Sequence, residues 1–276
     1  MTPEEREQPQ LRVLSLGAGV QSTTMALMAA HGEFEHMPDC AIFADTQSEP
    51  KAVYDHLNWL MSDNVLPFPV HIVTQGSLRD TVVREANAGR FVSAPFFTSG
   101  DAGGGLLRRQ CTREFKIMPL NREMRRLAGY KPRQRIPAQT VECWIGISLD
   151  EAVRMKPSRE RWIENRWPLI EKRMSRNDCL RWMERHGYPL PAKSACTFCP
   201  YHNDALWRDM RDNDPDSWAD AVAVDEAIRD SRSSGVNEQL FVHRSLKPLP
   251  EVDLTTVEDE GQINMFNEEC EGMCGI

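Results

Sequence analysis

The sequence predicts an α/β fold, a doubly wound parallel sheet followed by a mostly helical, cysteine-containing stretch and a flexible tail. Three observations predict it. Short apolar runs alternate with helix-period segments through residue 147, the pattern of parallel strands covered on both faces. A loop of small residues, 15–22, joins the first run to the first helix. From about residue 231 the composition turns polar, and 251–271 is strongly acidic.

In chain order, Leu11, Val13 and Leu14 form a short buried strand. Ser15 to Ser22 (SLGAGVQS) is the small-residue loop, and Thr23 opens a run of helix formers, Met25 to Ala30. Cys40 to Ala44 reads as a second strand ending at Asp45-Thr46. Pro50 to Ser62 has apolar residues at Val53, Leu57 and Leu60, a helical period with Pro near its first turn. Pro69 to Val73 is a third strand, with a helix from about Ser77 to Ala88. The loop 91–107 holds the triplet Gly103-Gly104-Gly105, a linker or a lid. Residues 108–135 carry ten Lys/Arg against two carboxylates, Glu114 and Glu123. Thr140 to Ile147 is a further strand, ending in Ser148-Leu149-Asp150-Glu151 with Arg154 beyond. Residues 159–230 are Trp-rich and read as helical, interrupted at Gly187 to Pro191.

Composition narrows the function classes. At 276 residues and 41% hydrophobic content the chain has ample material for a core, and no run approaches the roughly 18 apolar residues of a membrane span. The start, MTPEEREQPQ, shows no signal-peptide pattern, so the expectation is a cytoplasmic protein with no membrane partner. A net charge of −8 argues against nucleic-acid binding by overall charge, although the charge is unevenly placed.

The chemistry concentrates at two places. A strand, a small-residue loop and a helix together point free N–H groups and a positive helix end at an anion, and Gly17 and Gly19 let it approach closely. Ligands of such sheets bind beyond the carboxyl ends of the strands, where Asp45-Thr46 also lies. The second place is the cysteines. Cys40 and Cys143 sit in strand-like runs and read as small buried hydrophobes. Cys196 and Cys199 form a CxxC in a loop, with Cys179 and Cys111 upstream. Four thiolates suit a [4Fe–4S] cluster or a structural zinc equally by count; three would leave one iron open, and a redox dithiol is the remaining reading. Cys270 and Cys274 lie on the acidic tail, where a swinging thiol would serve as a nucleophile.

Taken together, these pieces resemble the PP-loop branch of the adenine-nucleotide alpha hydrolase-like (HUP type) superfamily, and within it the phosphoadenosine/adenosine phosphosulfate reductase family. SLGAGVQSTTMAL is similar to the PP-loop, FADTQSEPKAVYDHL to its Asp-Thr segment, and RRQCTREFKIMPLNREMR to its Cys-Cys-x-x-x-Lys segment. The terminal CGI is similar to the tail that carries the family's nucleophilic cysteine. Departures are Ala18 for a usual Gly, Gln21 for the Asp of the pyrophosphatase form, Gln110 for the first paired cysteine, Met273 for a tail Glu, and no terminal His. Loss of the carboxylate at Gln21 argues against Mg²⁺-assisted ATP cleavage.

The resemblance implies a Rossmann-like nucleotide-binding domain over 1–155, a helical CxxC subdomain over 156–235 and an acidic tail over 236–276. It implies an adenylyl nucleotide held by Ser15, Gly17, Ala18, Gly19, Gln21, Ser22, Asp45 and Thr46, with Arg108, Arg109 and Lys116 neutralising its anionic group. The cluster, or zinc in its place, would be held by Cys111, Cys179, Cys196 and Cys199. Cys274 would attack sulfur, with Cys270 or a thioredoxin-type reductant releasing the product. The alternatives are an adenylating sulfurtransferase acting on tRNA, DNA or a small acceptor through an iron–sulfur cluster, and a non-catalytic zinc-stabilised nucleotide-binding protein.

Overall fold

The computed structural model describes residues 8–87, 93–100, 104–231, 238–256 and 259. In chain order the elements are β1 (Leu11–Leu16), α1 (Val20–Ala30), β2 (Cys40–Asp45), α2 (Lys51–Leu60), β3 (Val70–Thr74), α3 (Leu78–Asn87), β4 (Phe97–Thr98) and β5 (Gly105–Leu106). A π-helical turn (Thr112–Ile117) leads into α4 (Met118–Leu127), then come β6 (Val141–Ile145), a 3₁₀ turn (Leu149–Arg154) and β7 (Ile163–Arg166). The helices α5 (Pro168–Glu171), α6 (Arg176–Arg185), α7 (Asp204–Asn213) and α8 (Pro215–Ile228) follow, then β8 (Leu240–Phe241) and a last 3₁₀ turn (Leu249–Glu251). Among the described residues no helix is long and apolar enough to cross a membrane.

The chain divides into two units, each assembled from separated segments: Met1–Asp45, Ala52–Thr74 and Ile117–Ser194 form one, Thr46–Lys51, Gln75–Lys116 and Ala195–Ile276 the other. Neither boundary expected from the sequence, 155/156 or 235/236, is an edge of these units.

The first unit holds the predicted doubly wound sheet, five parallel strands in the order β3-β2-β1-β6-β7. Parallel strands need a cover on both faces, and the apolar residues of β1 supply both. Leu14 and Leu16 pack with Phe43, Trp144 and the helices α1, α2 and α6, while Val13 packs on the opposite side with Ile42, Cys143, Ile145 and Met124 of α4. Strand order reverses at β1, which has β2 on one side and β6 on the other. β7 was not legible in the sequence. It reads IENR, too polar for a buried strand, and it forms because it lies at a sheet edge, pairing only with β6.

The second unit packs α3, α7 and α8 with a small antiparallel sheet, β5-β4-β8. The glycine stretch expected to be a linker or lid enters β5. Gly104 has φ +85°, and a Cβ there would lie 2.9 Å from the Thr98 carbonyl oxygen, so glycine is needed for β5 to approach β4. Part of the segment from 236 expected to be a flexible tail is packed instead. Leu240, Val242 and Leu249 are fully buried in this unit's core. The buried carboxylate of Asp225 holds that segment, accepting the N–H groups of Val242 (2.9 Å) and Leu249 (3.0 Å) and pairing with Arg229.

Candidate functional site

The β1–α1 turn occupies the point where strand order reverses, the usual ligand crevice of an open α/β sheet. Its shape is set by its own residues. The N–H of Gly17 donates to Ser22 Oγ (3.1 Å), and that hydroxyl donates to the Gly19 carbonyl (3.2 Å), closing a tight loop. Ala18 is fully buried at φ +54°, a left-handed conformation that costs a residue with a Cβ about 1 kcal/mol. Gly19 is the N-cap of α1 and offers no side chain to cap it, so the positive helix end carries no protein acceptor from its own cap.

The opposite wall comes from the end of β6. A Cβ on Gly146 would sit 2.9 Å from the backbone nitrogen of Ser22, so glycine there lets the strand end pass directly against the first turn of α1. Just beyond it, a polar network fixes Gln21. Its amide nitrogen donates to Ser148 Oγ (3.4 Å) and Glu151 Oε2 (3.2 Å), and its oxygen accepts from Arg176 Nη1 (3.3 Å). Glu151 also pairs with Arg154, and Asp150 Oδ1 accepts the Arg176 backbone N–H (2.8 Å). Arg176 opens α6, where a cation opposes the helix dipole. Helix electrostatics do not favour that placement beside Gln21. Asp45, at the end of β2, accepts the Tyr54 hydroxyl (2.8 Å).

In the second unit a cavity of about 40 Å³ gathers Cys111, Cys196 and Cys199 with Thr46, Arg109 and Lys116. Thr46 Oγ1 lies 3.4 Å from Cys196 Sγ, and Lys116 Nζ is 3.1 Å from the buried Glu49 carboxylate. Arg109 donates to Thr112 Oγ1 (2.8 and 2.6 Å) and lies over the Tyr201 ring at 5.6 Å. Cys111 is positioned through the backbone: its N–H and that of Gln110 both donate to the Ser93 carbonyl, and Ser93 is held by the buried Glu85. The CxxC loop is fixed by the Thr197 N–H to the Ser48 carbonyl (2.8 Å) and by the Thr197 hydroxyl to Asp220 (2.7 Å). Burial, reinforced by the Glu49 charge, pushes the Cys196 thiol well up, and Lys116 offsets part of that.

No family model matches this chain, and no curated protein matches it. Among solved structures, the phosphate complex of phosphoadenylyl-sulfate (PAPS) reductase from Candida auris is similar at 13% identity and a TM-score of 0.43, over 67% of this chain and 76% of that one. That likeness assigns no family. The fold is established by the strand order itself.

The sequence-derived candidates fall into three groups, with Cys179 apart from them. Ser15, Gly17, Ala18, Gly19, Gln21, Ser22 and Asp45 belong to the first unit, at or beside the carboxyl ends of β1 and β2. Thr46, Arg109, Lys116, Cys111, Cys196 and Cys199 share the cavity of the second, with Arg108 exposed nearby in sequence. Cys270 and Cys274 lie outside the described residues. Cys179 is not among the cavity residues. It is fully buried in the core of the first unit with Leu169, Trp182 and Met183, and burial, only partly offset by the Thr24 hydroxyl, pushes its thiol up to about 12. Among the described residues no three His, Cys, Asp or Glu side chains are set to hold one metal ion. Cys40 and Cys143 are buried in the sheet, each pushed up to about 12 by burial. Sequence reading missed Arg176. The segment holding Ser148 and Glu151 was visible as a polar strand end, but Arg176 lies 155 residues from Gln21 and carries no local signal.

Proposed function

We propose that this chain is an enzyme that binds an adenylyl nucleotide with its phosphate at the Gly17–Ser22 turn and carries out reductive sulfur transfer on it. The observation that supports nucleotide binding most directly is the helix end of α1, without a side-chain cap, at the point of strand-order reversal and reached over residues that carry no bulk. The neutral amide of Gln21, engaged with Glu151 and Arg176, favours a phosphosulfate-type nucleotide over ATP cleavage assisted by a metal bound at that position. In the transfer step the Cys274 thiolate attacks sulfur, forming an S–S bond and breaking the S–O bond to the nucleotide, which leaves as the phosphate. A second thiol, Cys270 or that of a thioredoxin-type dithiol, attacks the Cys274 sulfur. Sulfite leaves, a disulfide forms, and the external dithiol reduces it.

Gly19→Asp tests the binding site separately from folding. The position has room, its Cβ falling 3.7 Å from that of Ser194, and its φ of −100° suits any residue. Aspartate is a good N-cap, so the melting temperature holds or rises, while its charge occupies the place of the phosphate. Titration calorimetry with adenosine phosphosulfate should then show a loss of affinity of about 100-fold, order of magnitude, for one such charge conflict. Unchanged affinity refutes the site. Cys274→Ser should abolish turnover and leave nucleotide binding intact; turnover that survives removes Cys274 as nucleophile.

A further inference from the structure

Beyond the nucleotide site, the first unit carries a second charged feature at the other end of its sheet. The loops entering β6 and β7, 129–140 and 156–162, hold Lys131, Arg133, Arg135, Lys156, Arg159 and Arg161 against one carboxylate, Glu160. All six cations are exposed, and no carboxylate among the described residues pairs with them. Glu160 is turned aside to accept the Trp162 indole N–H at 3.1 Å. The two loops form one surface. Arg125 lies over the Trp162 ring at 5.6 Å and donates to the carbonyls of Gln134 (2.8 Å) and Lys131 (3.4 Å), while the Gln139 N–H donates to the Arg161 carbonyl at 3.1 Å. Because the sheet is parallel, these loops sit at the amino ends of its strands and the Gly17–Ser22 turn at the carboxyl ends.

We infer that this basic surface docks the phosphate backbone of a nucleic-acid duplex. Six cations with no carboxylate partner among the described residues concentrate positive charge on a chain of net charge −8, and a polyanion complements it. At physiological salt the field is local, reaching about 8 Å, so the patch rather than the net charge meets the partner. Four of the six are arginine, whose planar fork matches phosphate oxygens. Trp162 is buried and Tyr130 half-buried against the core, so the surface offers no stacking platform of the kind that grips single strands. It also offers no exposed large apolar side chain to insert into a membrane.

The test is fluorescence anisotropy with the full chain and a labelled 25-base-pair DNA duplex across a salt series. Binding should weaken steeply with salt. Arg133→Gln with Arg135→Gln, and separately Arg159→Gln with Arg161→Gln, should each lower the slope of log K against log salt by about 2, roughly one per lost phosphate contact. Arg185→Gln, an exposed cation on α6, should leave it unchanged, and circular dichroism should show all variants folded. The inference is overturned if the wild type does not bind duplex at low salt, if the loop variants keep the wild-type slope, if a single strand of equal length binds tighter than the duplex, or if only anionic phosphatidylserine vesicles are bound. None of these outcomes depends on the nucleotide site.

Discussion

Gln21, Cys179 and His56 show how one residue's surroundings decide its chemistry. At Gln21 the amide bonds an arginine through its oxygen and a glutamate through its nitrogen, a role no carboxylate could fill without repelling Glu151. Cys179 looks like a ligand in sequence and is a core group in the fold, because its neighbours Trp182 and Met183 remove it from water. His56 is buried with Nε2 3.1 Å from Thr23 Oγ1, and burial lowers it from 6.5 to about 4. The unfolded chain therefore takes up a proton below 6.5 that the folded chain refuses. Stability from this residue is complete above 6.5, falls as the pH drops, and levels off below about 4. The loss is at most about 3 kcal/mol. Urea unfolding at several pH values should show that slope in the wild type. His56→Gln should flatten it; an unchanged slope assigns the acid sensitivity to other groups.

At the scale of elements, α6 shows local capping serving a distant site. Ser175 caps it by accepting the Asp178 N–H, and Asp178 accepts the Ser175 N–H in return. This box fixes the first turn and with it Arg176, against the unfavourable pull of the helix dipole. Ser175→Ala should cost about 1 kcal/mol of stability. It should also weaken nucleotide binding by several-fold, since Arg176 then samples more positions; stability loss with unchanged affinity would show that Arg176 does not depend on the cap. A contrasting case is the π-helical turn 112–117, which lies within the basic stretch 108–135. Its wider turn lies in the cavity stretch that begins at Cys111 and ends at Lys116, and π turns leave no periodicity to detect.

At the scale of the molecule, the alternation of apolar runs with amphipathic segments was enough to determine a parallel, doubly wound sheet. Burial of a strand on both faces is written in consecutive residues, as in Cys40 to Ala44. The small-residue turn after β1 was legible for the same reason, since Gly17 and Gly19 act through their own backbone. Only the tertiary structure decided which segments join. Residues 46–51 and 75–116 belong with 195–276, a grouping set by contacts between residues far apart in sequence. It decided that Leu240, Val242, Leu249, Val252 and Leu254 enter the core, because Asp225 supplies from α8 the partners for two backbone N–H groups of their segment. It also gathered Cys111, Cys196 and Cys199 around one cavity, and it buried Cys179 in the apolar core of the first unit. Side-chain type is local information, while burial and partnership are sums over the whole packed chain.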